Sequence, residues 1–306
     1  MKVSFPRIGI YTEVGIEFFK KLGVEVIEPN PIGKKIIEKG VLFSPEMMCF
    51  PYKVVLSSFI DALERGADTL VMYNSQGFCR YRCYYVMAEM SLKQLGYKFE
   101  MIVPKAKNLF SWIFKLSPEI KKRNLFKIVK ETWEHIKKVE KEDGEKNNGD
   151  IKIGVVGEFY TCIEPSANFN LIEKLRNYGA SVDIGMNVSE FIKHGLKLDR
   201  IYKRKERKIA KRLLKGELIA GHGFDSIVNT IYFIKKKYDG IILAMPLTCM
   251  PECVAEPFIK KICDENKIPF MVLRFDENVS EVNIDNRLNA FCELIRRKKW
   301  KKFHSV

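Results

Sequence analysis

Short apolar runs alternate with amphipathic helical stretches along the whole chain, and nothing else in it constrains the fold as strongly. A strand near 3–10 is followed by a helix around 13–22 (EVGIEFFKKL) and the strand VEVIEP. Residues 51–65 (PYKVVLSSFIDALER) carry the three-to-four spacing of a helix, and ADTLVMYN (67–74) reads as a buried strand. A helix over 83–95 and the strand KFEMIVP (98–104) complete a first set. The pattern then restarts with IKIGVVG (151–157), a helix over 167–178, the strand ASVDIGM and a run of helices to about 237. The strand GIILAMP, a helix over 251–266, the strand PFMVLRFD and a last helix over 284–299 finish it. Strands separated by helices pair in parallel through crossover connections rather than as hairpins.

The expectation is therefore an α/β protein with two Rossmann-like domains, each with a parallel sheet, and additional helices. The first domain spans 1–110, a helical connector and linker spans 111–150, and the second spans 151–306 with a C-terminal helix. Within the connector, the Lys/Glu-rich stretch 117–147 runs into KEDGEKNNGD, the clearest linker in the chain. At 306 residues there is enough chain for two separate cores. Open sheets of this kind bind ligands beyond the carboxyl ends of their strands, where helix N-termini also point. A site is accordingly expected in the cleft between the domains.

Composition narrows the class. The longest apolar run, IILAMPLTCM, falls well short of a membrane span. Pro6, Arg7 and Glu13 interrupt the N-terminus too early for a signal-peptide core, so a cytoplasmic location is expected. Eight cysteines in a reducing compartment are not a disulfide framework; they are core residues, ligands or redox groups. The formal charge of +15 sits mostly in Lys-rich helical stretches at 121–141, 202–215 and 296–302. Such runs are commonly solvated helix faces, and no nucleic-acid motif or interleaved aromatics accompany them. An acidic protein partner or an anionic cofactor such as CoA suits the charge equally well.

The cysteines are distributed in a pattern. Cys263 (FIKKICDENK) and Cys292 (LNAFCELI) lie mid-helix on apolar faces, which is core packing. Cys49 precedes Pro51 in SPEMMCFP, at the entrance of a helix. Cys79 and Cys83 follow a strand in SQGFCRYRC, Cys162 follows one in EFYTC, and Cys249 and Cys253 follow one in PLTCMPEC. Each half thus has one single Cys and one Cys-x-x-x-Cys at strand ends or helix entrances. Metal ligation is the reading for Cys49, Cys79 and Cys249. For Cys83 and Cys253 packing inside a helix stays an equal alternative, and Cys162 is the weakest of the six.

Soft thiolates select zinc, Cu(I) or iron–sulfur clusters. Structural zinc usually takes close-spaced pairs within one small module. Ligands spread over most of a chain suit a cluster better, with zinc still open. A [4Fe–4S] cluster normally takes four thiolates, so three would leave one iron open.

Other side chains are candidates beside these. Arg80 directly follows Cys79, and Lys53 lies one turn after Cys49; each is placed to offset cluster charge or hold an anion, with a surface lysine the commoner outcome for Lys53. Glu252 opens a helix, where the dipole favours an acid in any case. His222, between glycines in GHGFDS, is the best proton donor, with a simple turn residue as the alternative. Glu164 and Glu158 flank Cys162 as second choices, and Asn168 reads as a helix cap. No GxxxxGK[ST] loop exists and GVVG lacks dinucleotide spacing, so ATP use falls to a partner.

CFPYKV (49–54), GFCR (77–80) and TCMPE (248–252) resemble the 2-hydroxyacyl-CoA dehydratase and benzoyl-CoA reductase superfamily. The branch is the acyl-CoA dehydratase activase-related proteins, which include the double-cubane cluster proteins. GEFYTCIEPSANF (157–169), GHGFDSIVNTIYF (221–233) and DENVSEVNIDNRLNAFCELIRRKK (276–299) extend the resemblance over nearly the whole chain, in order. It implies an oxygen-sensitive, anaerobic iron–sulfur protein, dehydratase- or reductase-like, that forms a homo- or heterodimer. Low-potential electrons would come from an ATP-hydrolysing activator of the actin/sugar-kinase type with its own cluster. The substrate would be a small molecule such as a CoA ester. By motif, Cys49, Cys79 and Cys249 carry over as ligands of a [4Fe–4S] cluster. A double cubane, [8Fe–9S], calls for six thiolates, which Cys83, Cys162 and Cys253 would complete. Many relatives have an apolar residue at the place of Cys162 and something other than Cys at 253, which leaves the single cluster as the safer expectation. A non-enzymatic metal scaffold, or an electron-transfer protein that docks the activator, is the alternative to an enzyme.

Overall fold

The protein was described from a computed structural model covering residues 1–74, 79–104, 110–196 and 203–304, the side chains of 302–304 excepted. Gly77 and Phe78 of the GFCR motif, and Tyr202 at the start of the second basic run, lie outside the described residues. The chain divides into two compact units, Met1–Glu140 and Lys141–Val306.

Unit 1 begins with β1 (Lys2–Ser4), a 3-10 turn at Gly9–Tyr11, α1 (Thr12–Lys21) and β2 (Glu25–Val26). Next come α2 (Lys34–Leu42), α3 (Phe50–Glu64) and β3 (Thr69–Val71). A 3-10 turn at Arg80–Cys83, α4 (Tyr84–Gln94), β4 (Glu100–Ile102), α5 (Ser111–Leu116) and α6 (Lys122–Glu145) follow. The four strands are parallel, in the order β2-β1-β3-β4. The first strand is shorter than its apolar run because Pro6 has no amide for the ladder and Gly9 takes φ +52°. Helix α3 is buried on nearly every turn, from Phe50 to Leu63. Val3, Phe5, Phe19, Val71 and Ile102 form a core against Ile113, Leu116, Leu125 and Ile128 of α5 and α6.

Unit 2 consists of β5 (Ile151–Gly157), α7 (Phe159–Ile163), α8 (Pro165–Asn168), α9 (Leu171–Asn177) and β6 (Ala180–Ile184). It continues with α10 (Val188–Gly195), α11 (Arg204–Leu213), α12 (Gly223–Lys235), β7 (Gly240–Pro246), α13 (Met250–Glu265), β8 (Phe270–Phe275) and α14 (Glu281–His304). Its sheet is also parallel, in the order β6-β5-β7-β8. All seven residues of β7 are buried, which is why GIILAMP is continuously apolar: a strand covered on both faces has no solvent side to alternate toward. Where the periodicity predicts one helix over 167–178, the chain makes α8 and α9. Phe169 and Asn170 adopt left-handed φ of 54° and 58° and turn the backbone between them. Arg296 of α14 forks onto the Asp150 carboxylate at 2.9 and 3.1 Å and pins the last helix beside the start of β5.

The two parallel sheets are what alternation requires, and each reverses its strand order between its first and third strands. Ligand sites in open α/β sheets lie at that reversal. It falls between the ends of β1 and β3 in unit 1, and of β5 and β7 in unit 2.

Candidate functional site

Unit 1 carries three thiols at helix entrances. Cys49 is the N-cap of α3 with extended backbone, and Pro51 follows in the first turn, where its missing amide costs nothing. Cys79 precedes the 3-10 turn and Cys83 leads into α4. None caps its helix through its side chain. A thiol at a helix N-terminus meets the positive end of the dipole, which favours the thiolate that binds metals. Cys83 is exposed; Cys49 and Cys79 are half-buried.

Two side chains bind these loops together. Arg80 Nη1 donates to the carbonyl of Met47 at 2.8 Å, which ties the segment after Cys79 to the loop before Cys49. Cys49 Sγ lies against the hydroxyl of Tyr84, whose ring packs edge-on against Tyr52 at 5.0 Å. Lys53 is only 4 % exposed, contrary to the surface position common for lysine, so α3 carries an amine inward one turn past Cys49.

In unit 2, β5 ends at Gly157, with φ +139° and a backbone so close to β7 that a Cβ would fall 1.8 Å from the Ala244 carbonyl oxygen. Only glycine fits there. The turn delivers Glu158, which caps α7: its oxygens accept from the Tyr160 amide at 3.1 Å and from the Thr161 amide and hydroxyl at 2.7 Å. Glu164 caps α8, accepting from the Ser166 amide at 3.1 Å. Asn168 accepts from the Leu171 amide and donates to the Thr161 carbonyl, linking the three short helices. Glu158, Glu164 and Asn168 thus hold local structure.

Cys162 sits within α7 at 3 % exposure. Burial drives its thiol well above the ordinary 9.0, and the charges of Glu158 and Glu252 push it further. Cys263 and Cys292 are fully buried in α13 and α14, their thiols pushed up to about 12 and about 11 chiefly by burial. Cys249, by contrast, is the N-cap of α13 at 7 % exposure, with Pro251 in the first turn, as Cys49 is with Pro51. Cys253 is exposed, and its amide donates to the Cys249 carbonyl at 3.0 Å.

A polar group is buried beside Cys249 that periodicity does not reveal. His222 is the N-cap of α12, packed against the stacked rings of Phe159 and Phe191 at 6.0 and 5.7 Å. Its Nδ1 stands 3.8 Å from Asp225 Oδ2, an ion-pair distance rather than a hydrogen bond. Asp225 is itself held by Arg207 at 2.9 Å. Burial alone would lower the imidazole's pKa, but Asp225, with Glu158 and Glu252, outweighs it and holds the pKa above 6.5. Glu252 is 1 % exposed, and neither of its oxygens has a hydrogen-bond partner. Burial pushes its pKa up to about 7, against the pull of Ser226 and His222 and with the help of Glu158 and Asp225. A cavity of about 10 Å³, lined by Cys162, His222, Asp225, Ser226 and Asn229 among others, lies in this group and has room for about one water. Asp225 and Ser226 lie three and four residues past His222, on one helix face, which is the signal a helical reading of GHGFDS contained.

Among the described residues, no group of three or more His, Cys, Asp or Glu side chains is gathered to hold a single ion. A cubane makes a different demand, because its thiolates sit on separate irons and stand farther apart than the ligands of one ion. Cys49 and Cys249 stand at the N-termini of α3 and α13, Cys79 stands at the entrance of a 3-10 turn, and Cys162 is buried within α7.

Residues 10–185 match the family model described as the CoA enzyme activase uncharacterised domain. The match spans Cys49, Lys53, Cys79, Arg80, Cys83, Cys162 and Glu164, while His222, Cys249, Glu252 and Cys253 lie beyond it. No curated protein matches the chain. No helix among the described residues is long and apolar enough to cross a membrane.

Proposed function

The chain belongs to the CoA enzyme activase domain family, and from that membership we propose that it is an iron–sulfur component of an activator–dehydratase system. In this reading Cys49, Cys79 and Cys249 hold a [4Fe–4S] cluster, and an ATP-hydrolysing partner with its own cluster supplies the electrons. When bound, the cluster provides single low-potential electrons for reductive or radical chemistry on a small substrate such as a CoA ester. A homo- or heterodimer is the assembly this reading favours.

The observation that carries the reading is that the chain twice places a thiol N-cap with proline in the first turn: Cys49 on α3 and Cys249 on α13. Cys79 supplies a third thiol, in the connection after β3. The chain's own residues contribute electrostatics. Lys53 and Arg80 offset the negative charge of a thiolate-bound cluster, and Arg80 fixes the Cys49 and Cys79 loops relative to each other. A double cubane would add Cys83, Cys253 and Cys162, and the burial of Cys162 among carboxylates speaks against that third addition.

The test is anaerobic purification and reconstitution of the full chain, with iron and acid-labile sulfide counted. About four of each per chain are expected for one cubane. Cys49→Ser, Cys79→Ser and Cys249→Ser should each lose cluster, and Cys263→Ser should keep it. A colourless, iron-free wild-type product would sink the reading.

A further inference from the structure

The chain carries its positive charge in three Lys-rich runs, and the structure treats them differently. In α6 the cations are neutralised on the helix itself. Lys127 pairs with Glu131, Lys130 with Glu134 and Lys141 with Glu145, each four residues on. In α14 they are tied to the body of unit 2. Arg296 grips Asp150, Lys299 reaches the Asp150 carbonyl and the Asp239 carboxylate, and Lys298 donates to the Lys267 carbonyl.

The α11 run does neither. Its inner face meets the core through Ala210 and Leu214, and Arg207 reaches inward to Asp225. Glu206, the acid of its first turn, is taken by Lys235 at 2.8 Å. On the outer face Arg204, Lys205, Lys208, Lys211, Arg212 and Lys215 are exposed. None of them makes an ion pair or a side-chain hydrogen bond among the described residues. Helical spacing gathers them into a stripe about 15 Å long. Arg204, Lys208 and Arg212 stand four residues apart, so like charges repel along one line. Arg204 and Lys205 also occupy the end of the helix where the dipole disfavours cations. A stripe that weakens its own helix suits a counter-charge on another molecule.

The chain just beyond α11 adds apolar surface. Leu218 is 91 % exposed, and Met250, the residue after the N-cap Cys249, is 70 % exposed. Gly223 brings these two segments together: a Cβ there would come within 2.7 Å of Ile219 Cγ2 and 2.5 Å of the Pro251 carbonyl oxygen. We propose that the outer face of α11, with Leu218 and Met250, docks a protein partner that presents carboxylates around an apolar contact. An apolar centre with a charged rim is how protein interfaces are built. A nucleic acid would match the cations but leave Leu218 and Met250 unmet, and residues 204–215 offer no aromatic ring for a base to stack on. A membrane would need α11 to lay its apolar face on lipid, and that face is buried in unit 2 at Ala210 and Leu214. That the partner is the electron donor rests on the reading above: a protein seated on Met250 is one residue from Cys249.

The experiment takes the full-length chain, purified anaerobically with its iron counted, and measures its association with a purified ATP-hydrolysing activator at low and high salt. Three variants are compared with wild type. Lys205→Gln/Lys208→Gln/Arg212→Gln strips the α11 stripe, Lys127→Gln/Lys130→Gln/Lys141→Gln removes the same charge from α6, and Leu218→Ser removes the apolar contact. The α11 variant should associate about tenfold more slowly at low salt, with a weaker salt dependence. Its melting temperature should hold or rise, because repulsion is relieved. The α6 variant should bind as wild type does, and Leu218→Ser should dissociate faster with its salt dependence kept. Wild-type binding by the α11 variant or by Leu218→Ser overturns the proposal, and so does an equal loss in both charge variants. A wild type that ignores the activator but binds a DNA duplex or phosphatidylglycerol vesicles through α11 overturns the protein partner. An iron-free chain that still docks through α11 overturns the cluster reading and leaves the surface standing.

Discussion

Arg207 Nη2 donates to Asp225 Oδ1 at 2.9 Å, and the carboxylate side chain retains 8 % of its exposure. Burial would raise the Asp225 carboxyl, but His222, His194 and Arg207 together hold it below its ordinary value. Removing only the cation strands a charge in the interior, which costs far more than a surface pair is worth. Arg207→Ala should therefore destabilise unit 2 by about 3 kcal/mol in denaturant titration. Asp225→Asn should cost less, because the remaining guanidinium is partly exposed at 24 %. Equal and small losses would show that the pair is solvated. The acid limb follows by sign: Asp225 stabilises the fold above its unfolded value and loses that contribution as pH falls through its lower folded one.

Glu252 predicts the opposite pH dependence. Its folded pKa of about 7 exceeds the ordinary 4.5, so the native state holds the proton more tightly than the unfolded chain. Stability is full below the unfolded value, declines as pH rises toward 7, and is flat beyond it. The decline should amount to about 3 kcal/mol for the cluster-free protein. Glu252→Gln should remove that slope whatever it does to stability at pH 5. A slope unchanged in the variant would assign the titration elsewhere.

Gly157 sets the turn that delivers Glu158 to the end of β5. With φ +139° and 1.8 Å between a hypothetical Cβ and the Ala244 oxygen, Gly157→Ala must either flip the turn or push β5 from β7. The expected cost is about 3 kcal/mol or more, from backbone strain and a lost strand pair together. Gly144→Ala, where nothing lies within 4 Å of the added carbon, is the control and should be neutral or stabilising. A Gly157→Ala protein with wild-type melting temperature would contradict the geometry.

Legibility in the sequence followed the range of the interactions. GIILAMP and IKIGVVG are apolar because local burial demands it, and they read directly as strands. The helix at Lys34–Leu42 is absent from the periodic reading: KKIIEKGVL is short and amphipathic, and only packing against α3 at Gly40 completes it. There a Cβ would come within 2.2 Å of the Lys53 carbonyl oxygen. Cys162 and Glu252 are 90 positions apart in sequence, so the push of Glu252 on the Cys162 thiol has no local signal. His222 looked like a proton donor from its glycine neighbours alone.

Thiol alkylation separates one cubane from two without any activity assay. In the cluster-free chain Cys83 and Cys253 are exposed and should react first with iodoacetamide, followed by the half-buried Cys49 and Cys79. Cys162, Cys263 and Cys292 are buried with raised pKa values and should stay unmodified until the chain unfolds. After anaerobic reconstitution, a single cubane shields Cys49, Cys79 and Cys249 and leaves Cys83 and Cys253 reactive. A double cubane must shield all five and also deprotonate Cys162, whose thiol is pushed up by burial first and then by Glu158 and Glu252. Peptide mass spectrometry of the labelled protein reads each position separately. Continued labelling of Cys49 in iron-loaded protein would remove it from the ligand set.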